Sequence, residues 1–364
     1  MNKLTKRIVE IVLGLALLLL FSARALAQDQ PPPSEAGLIS APLRSAAYPE
    51  AIYPDGIIPD WDRGYVIHYE IEANYSPDTA MVVMYDKTGK RIREGRIWPQ
   101  GAGSVRVRRT AATREGALLA AGSAIMRDGS IQGYIVKTDL AGATVKTLLT
   151  GLFSNEQICE APDGTIWSLG KANLPDDGQE HDTNVVRHYQ FDKGELHSFL
   201  PESTVQAPVR SKRPWFVPWG SYLRCGKEKI SLYLNFTREY VEIDTSSLEL
   251  KRWKLDEAVL QGRDADGFAV TDDKRIYVSF RPSLSPGVPS VRGLYQIKTV
   301  FGINVASLLP VAGTITTIER GKLPPGGSFI LLWGADGDQL VVWRMDGNGE
   351  FLSWVNVTNS DSTD

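Results

Sequence analysis

Six segments of the chain follow one plan, in which a run of β-forming residues leads through a turn carrying Asp or Gly into a second run. They are MVVMYDKTGKRIREGRIW, GYIVKTDLAGATVKTLL, VVRHYQFDKGELHSFLP, REYVEIDTSSLELKRWKL, GLYQIKTVFGINVASLLP and LVVWRMDGNGEFLSWV. Their turns fall at Asp86, Asp139, Asp192, Asp244, Lys298 and Asp346, separated by 53, 53, 52, 54 and 48 residues. So even a period marks a structural unit repeated along the chain, and it restricts the fold more than any other feature. The turn chemistry has a physical basis. Asp accepts a nearby backbone N–H, and a following Gly takes the positive φ that closely spaced antiparallel strands require. The fifth turn lacks the Asp but keeps Gly302.

Upstream of five of these hairpins lies another pair of runs. ICEAPDGTIWSLG is the clearest, and GFAVTDDKRIYVSF, TTIERGKLPPGGSFILLWG, YLRCGKEKISLYL and VRRTAATREGALLAAG repeat it. Four antiparallel strands per unit, repeated around a ring, make a β-propeller blade. The predicted fold is therefore all-β, a six-bladed β-propeller of four-stranded antiparallel blades. A sandwich or jelly roll also has short, regularly spaced strands, but has no reason to repeat a four-strand unit at this period. The first blade must draw its innermost strand from AIYPDGIIPDW, and FLSWVNV is expected to be the outer strand of the last. Ring closure is then expected from face-to-face packing of the first and last blades, with an added outer strand from residues 37–43 left open.

The chain opens with MNKLTKR, an apolar run from Ile11 to Phe21, and SARALAQ. A basic start, a short apolar core and an A-x-A step ending at Ala27 are the parts of a secretory signal peptide, and the run is short for a bilayer span. Residues 1–27 are expected to be that signal, with an uncleaved anchor as the alternative. Residues 28–45, polar and Pro-rich, are expected to be a disordered leader, residues 46–358 the propeller and 359–364 a polar tail. Removing Lys3, Lys6, Arg7, Arg24 and Glu10 from 40 basic and 43 acidic groups leaves 36 against 42, a net charge of −6. A mildly acidic chain without basic blocks has no electrostatic footprint for nucleic acid. The expected location is secreted or periplasmic, with no membrane span in the mature chain.

An exported location permits a disulfide, and the chain has two cysteines, Cys159 and Cys225. They lie before Ile166 and Ile230 on inner strands of adjacent blades. Equal parity with those isoleucines puts both thiols on the same face of their respective blades, whereas a bridge needs opposite faces. Two free buried thiols are expected.

ADGFAVTDDKRIYVSF and APDGTIWSLG resemble the blades of six-bladed propellers of the NHL, TolB and SMP-30-like group. The resemblance is strong in two blades and diffuse from Gly56 to Val357, and it implies the fold rather than an activity. Lactonase-like members of that group hold a divalent cation in the central channel through carboxylate and Asn ligands. The two matching positions here are Asp266 and Phe280, and a phenyl ring cannot ligate a hard cation. No metal or cofactor is expected, apart from a weak divalent cation at LPDDGQEHDTN, where Asp176, Asp177, Glu180 and Asp182 surround His181.

No G-x-S-x-G elbow occurs, and His68, His181, His188 and His197 lack zinc-type spacing. In VRVRRTA, alternation puts Arg106 and Arg108 on one side of an inner strand, where an Arg can face the channel; Glu160, Arg224, Asp266 and Glu319 occupy comparable positions. RPWFVPWG joins the third and fourth blades, with Pro214 and Pro218 fixing φ, and its Trp215 and Trp219 are either buried between blades or form a platform. The long loops GKANLPDDGQEHDTN, RPSLSPGVPSVRG and PESTVQAPVRSKRPWFVPWG share one face of the ring. The expected function is a non-enzymatic, exported binding or scaffold protein that recognises a protein, peptide or glycan on that loop-rich face. The ligand-binding candidates are Trp215, Trp219, His181, Asp182, Arg108, Arg224 and Asp266. The alternative is a lactonase-like hydrolase or lyase acting at the channel mouth.

Overall fold

The computed structural model describes residues 36–39, 45–46, 57–70, 81–173, 182–205, 220–255, 264–280, 291–300, 303–312, 316–317, 329–346 and 349–358. Within them the regular structure is β-strand, apart from one short 3-10 turn at Glu202–Thr204. Two short strands come first, β1 (Ala36–Ile39) and β2 (Ser45–Ala46). Sheet I follows, with β3 (Ile57–Asp62), β4 (Tyr65–Glu70), β5 (Met81–Asp86) and β6 (Arg91–Arg96). Sheet II holds β7 (Ala102–Ala112), β8 (Leu118–Met126), β9 (Ile131–Thr138) and β10 (Thr144–Leu149). Sheet III holds β11 (Phe153–Glu160), β12 (Ile166–Ala172), β13 (Asn184–Gln190) and β14 (Gly194–Pro201).

The remaining strands form three antiparallel runs. Run IV is β15 (Tyr222–Cys225), β16 (Lys229–Leu234), β17 (Glu239–Asp244) and β18 (Leu250–Leu255). Run V is β19 (Ala265–Val270), β20 (Ile276–Phe280), β21 (Val291–Thr299) and β22 (Val305–Ala312), with β23 (Thr316–Thr317) beside β21. Run VI is β24 (Phe329–Asp336), β25 (Gln339–Asp346) and β26 (Gly349–Thr358). Two short parallel ladders, Lys254↔Val305 with Leu255↔Ala306 and Ala36↔Val311 with Gly37↔Ala312, fuse these runs and the N-terminal strands into one 14-stranded sheet.

Local chemistry explains the hairpins. Asp86 Oδ1 accepts the N–H groups of Thr88 at 2.8 Å and Lys90 at 3.1 Å, Asp139 those of Ala141 and Ala143 at 2.9 Å, and Asp244 those of Ser246 and Ser247. The second strands β8, β12, β16 and β20 are buried on both faces over most of their length, which explains the near-continuous apolar runs of LLAAGSAIM and IYVSF. At Gly142, φ is +91° and an added Cβ would lie 1.8 Å from the Glu94 carbonyl oxygen, so close packing of this turn on sheet I needs glycine.

Apolar clusters fill the spaces between consecutive groups. Ile67, Val82 and Met84 of sheet I pack with Val105, Leu118 and Tyr134 of sheet II, and Leu119 and Ile135 of sheet II with Ile158, Ile166 and Tyr189 of sheet III. Trp167 and Val186 meet Leu223, Ile230 and Leu232 of run IV, and Tyr233 and Tyr240 meet Phe268, Phe280 and Tyr295 of run V. Ala269, Tyr277 and Val311 then meet Leu332, Leu340 and Val342 of run VI. Val341 and Trp354 of run VI return to Trp61, Val66 and Tyr85 of sheet I. The arrangement is propeller-like.

Three expectations change. The strand holding FLSWVNV, β26, is not outermost, because β1 pairs along its far side through Gly37↔Thr358, Leu38↔Val357 and Ile39↔Asn356. The hairpin at Asp346 therefore joins β25 to β26, one strand further in than its counterparts. Second, β1 lies within the stretch assigned to a disordered leader; it is held by backbone ladders to β22 and β26, which composition does not record. Third, Cys159 and Cys225 form a disulfide with a Cα separation of 5.6 Å. Glu160 pairs with Ile166 around residues 161–165, whereas Cys225 pairs directly with Ile230 around residues 226–229. The unequal loops shift the parity by one residue, so Cys159 shares the face of Trp167 and looks onto run IV.

Candidate functional site

The first strands of the groups lie side by side in the order β3, β7, β11, β15, β19 and β24, and β24 returns to β3. Facing the ring's interior, such strands have only one ladder partner, so Pro59 fits within β3, where it stands opposite His68. Four of them carry a bulge. The register shifts at Gly103 and Arg108 in β7, at Glu156 in β11, at Asp266 in β19 and at Trp333 in β24.

A cavity of about 500 Å³ occupies the ring's axis at the end formed by the first hairpin turns. Its axial part is walled by Trp61, Arg63, Arg109, Cys159, Arg224 and Cys225, and a side arm between runs IV and V by Ser231, Tyr240, Glu242, Lys274, Ile276 and Thr299. Arg63 stands in the β3–β4 turn at φ +50° and donates to the Glu160 carbonyl oxygen of sheet III. From β15, Arg224 donates to the Leu223 carbonyl at 2.9 Å and, across the ring, to the Trp333 carbonyl at 3.3 Å.

Side-chain links join one group to the next around this end. Asp62 accepts the Ala112 N–H at 2.8 Å, and Arg114 donates to the Pro162 carbonyl at 2.9 Å. The disulfide follows. Lys274 then pairs with Glu228 at 2.9 Å and Lys227 with Asp272 at 3.6 Å. Asp273 N donates to Asp338 at 2.9 Å, and Lys87 pairs with Asp336 at 3.1 Å. Lys274 holds the Glu228 carboxyl below its ordinary value. In the side arm the Tyr240 hydroxyl donates to Glu242 at 2.8 Å and lies 3.2 Å from Ser231 Oγ, while burial, helped by the Glu242 charge, raises the phenol pKa well above its usual value.

Of the residues singled out in the sequence, Arg224 lines this cavity. Arg108 does not: the bulge between Val107 and Arg109 resets the alternation, and Arg109 takes the cavity position while the Arg108 carbonyl accepts the Tyr69 hydroxyl at 2.9 Å. Asp266 accepts Ser279 Oγ at 2.6 Å, and Phe280 is buried. Asp182 accepts the Ser203 N–H at 2.9 Å and Oγ at 2.6 Å, and these bonds lower its carboxyl pKa. His181, Trp215, Trp219 and Glu319 lie outside the described residues. Glu160 is buried and accepts the Arg114 N–H at 2.8 Å. Sequence reasoning missed Arg63 and Arg109; the WDRGY turn was the available signal for the first, and nothing local marks the bulge that places the second. Among the described residues no group of three or more His, Cys, Asp or Glu is placed to hold a metal ion, and no helix is long and apolar enough to cross a membrane.

No known family model matches the chain, and no curated protein matches it. Solved structures do. A member of the DUF4221 family from Bacteroides vulgatus aligns at 8% identity over 90% of this chain and 100% of that one, with a TM-score of 0.51. A Bacteroides fragilis protein provisionally described as exported aligns at 9% identity over 87% and 95%, with a TM-score of 0.50. The WD40 repeats of RRP9 align at 9% identity over 89% and 99%, with a TM-score of 0.45. At these identities the likeness is one of fold.

Proposed function

We propose that this chain is a six-bladed β-propeller, exported through its N-terminal signal, that works as a binding or scaffold protein for a protein, peptide or glycan. The observation that carries the proposal is the cavity at the ring axis. Its volume of about 500 Å³ falls within the range of ligand sites, and its wall is built from side chains of separate sheets held in place by links around the ring. Sheets I to III and runs IV to VI, the last completed by β1, supply the six blades. A second contact surface, distinct from the cavity, is proposed on the loop-rich face around Trp215, Trp219 and His181, with no cofactor required. The NHL, TolB and SMP-30-like resemblance supports the blade architecture and no particular activity.

Titrating the purified mature chain with peptide and glycan panels, read by intrinsic tryptophan fluorescence, tests this function. A saturable change that disappears in Trp215→Ala or Trp219→Ala is expected. Turnover of lactones or esters that is lost in Asp266→Ala would instead establish the hydrolase alternative.

A further inference from the structure

The seam between sheet III and run IV is built from two facing rows of side chains. Across sheet III the row is Cys159, Trp167, His188 and His197, paired in register from β11 through β14. Across run IV it is Cys225, Ile230, Ile243 and Leu250, from β15 through β18. The disulfide joins the two rows at their axial end, where both cysteines line the cavity. Trp167, Ile230 and Ile243 belong to one apolar cluster, with Leu248 and Leu250 packed against it. At the outer end the row of sheet III finishes in the exposed His197.

His188 breaks the apolar character of this seam. Only 7% of it is exposed, and neither ring nitrogen has a hydrogen-bond partner among the described residues. Its ring stacks on Trp167 at 4.2 Å and lies 5.7 Å from the His197 ring. An imidazole so placed is held neutral, because a charge there would lose hydration and gain no hydrogen bond. Burial lowers the His188 pKa, Asp163 in the β11–β12 turn raises it, and His197 on β14 lowers it again. The facing row of run IV brings no titrating group, since it consists of a disulfide cysteine and three aliphatic side chains. Lys229 and Lys251, beside Ile230 and Leu250, are turned to the other face by alternation and pair with Glu242 and Glu249. Asp244, beside Ile243, accepts the N–H groups of its own turn.

We propose that this seam is a pH-sensitive corner: uptake of a proton by His188 parts sheet III from run IV at their outer, hairpin end, while the disulfide keeps their axial ends joined. Arg252, which donates to the Thr204 carbonyl at 2.9 Å, bounds the opening on its other side. In the closed corner His188 is neutral. In the open one its imidazolium is hydrated, and Trp167, Ile243 and Leu250 meet solvent. The closed-state value is depressed, so the stability of the closed corner is complete above the ordinary histidine value of 6.5 and is lost as pH falls from there toward the closed-state one. The device goes beyond the binding function proposed above and uses none of its contacts.

Hydrogen exchange of the purified mature chain, followed by mass spectrometry and corrected for intrinsic rates, tests the proposal. From about pH 7.5 to about pH 5.5 the turn carboxyls stay ionised, and protection of β13, β14 and the Leu250 end of β18 is expected to fall about tenfold. Protection of β11 and β15, joined by the disulfide, and of β4 and β5 in sheet I should stay unchanged. His188→Phe keeps a stacking ring without a titrating nitrogen, and His188→Asn keeps a polar group without one; each should abolish the step. The step should persist in His197→Gln, because the exposed imidazole is hydrated in both states. A thermal melt of each variant shows which ones fold, and either folded His188 variant suffices. If neither folds, the wild-type map decides, since a step confined to the outer strands of this seam supports the corner. Equal protection at both pH values, a loss shared equally by β4 and β5, or an unchanged step in a folded His188 variant would overturn the proposal.

Discussion

In sheets I to III each outer strand has ladder partners only within its own sheet, whereas in runs IV to VI the outer strands pair with one another. The sequences of the edges follow this difference. RIREGR in β6 carries four charges, and β10 and β14 are mostly exposed or half-buried, with Lys146 and Glu195 on them. Charged, open edges discourage pairing with other chains. VASLLPVA in β22 carries none; it is covered by β21 as its antiparallel partner and by short parallel ladders from β18 and β1. The ring thus has one half made of separate sheets and another zipped along its rim, and the seams between the halves are reinforced differently. One has the disulfide between sheet III and run IV; the other has Trp61 against Trp354 at 5.6 Å, with the Trp61 indole N–H donating to Ala335 at 3.1 Å.

The largest test of this picture is at the aromatic seam. Trp61→Ala removes a buried ring packed so closely on Gly334 that an added Cβ there would sit 2.6 Å from it, and about 3–5 kcal/mol of stability should be lost in denaturant titration. If the loss is under about 1 kcal/mol, closure does not depend on this seam. Next comes the disulfide. Its cysteines are 66 residues apart, and Cys159→Ser with Cys225→Ser, or reduction, should cost about 2–4 kcal/mol. Calorimetry with and without reductant measures this, and an unchanged melting temperature would show that apolar packing alone holds the seam.

A smaller effect separates the two halves directly. By hydrogen exchange, amides of β22 should be protected more strongly than those of β10 and β14, because an open edge leaves part of its N–H groups to solvent. Similar rates would mean that the parallel ladders open freely. The smallest effect concerns acid. The Asp86, Asp163 and Asp244 carboxyls are held below their ordinary value by hydrogen bonds from their turns, acting against the opposing effect of burial at Asp86 and Asp163. Their folded values are depressed, so the stability they add is complete above the unfolded value and disappears as pH falls through the folded ones. Melting temperature should therefore decline from about pH 5 toward pH 2, less steeply in Asp244→Asn. A flat profile would show that the hairpin turns of the two halves gain nothing from ionised Asp.

Much of the architecture was legible in advance. The Asp turns and four of the five upstream hairpins appear where the period placed them. TTIERGKLPPGGSFILLWG does not pair as expected, since Thr316–Thr317 pairs with β21 and Phe329–Asp336 with β25; the shorter last spacing of 48 residues was the visible trace of this shift of one strand. The cysteine pairing was misread because parity was carried across turns of unequal length. At the site, Arg224 was found from its position on an inner strand, while Arg109 displaced Arg108 because a bulge resets the alternation from which facing is inferred.

The sequence by itself determined the repeat, its turns and the all-β class, since each depends on residues a few positions apart and on the alternation of buried and exposed side chains. The tertiary structure alone decided that the N-terminal strand completes the last group, that Cys159 meets Cys225, and that three arginines from separate sheets share one cavity. Those outcomes depend on register and on closure of the ring, where a shift of one residue reverses the face a side chain presents and no local pattern records which strand arrives beside which.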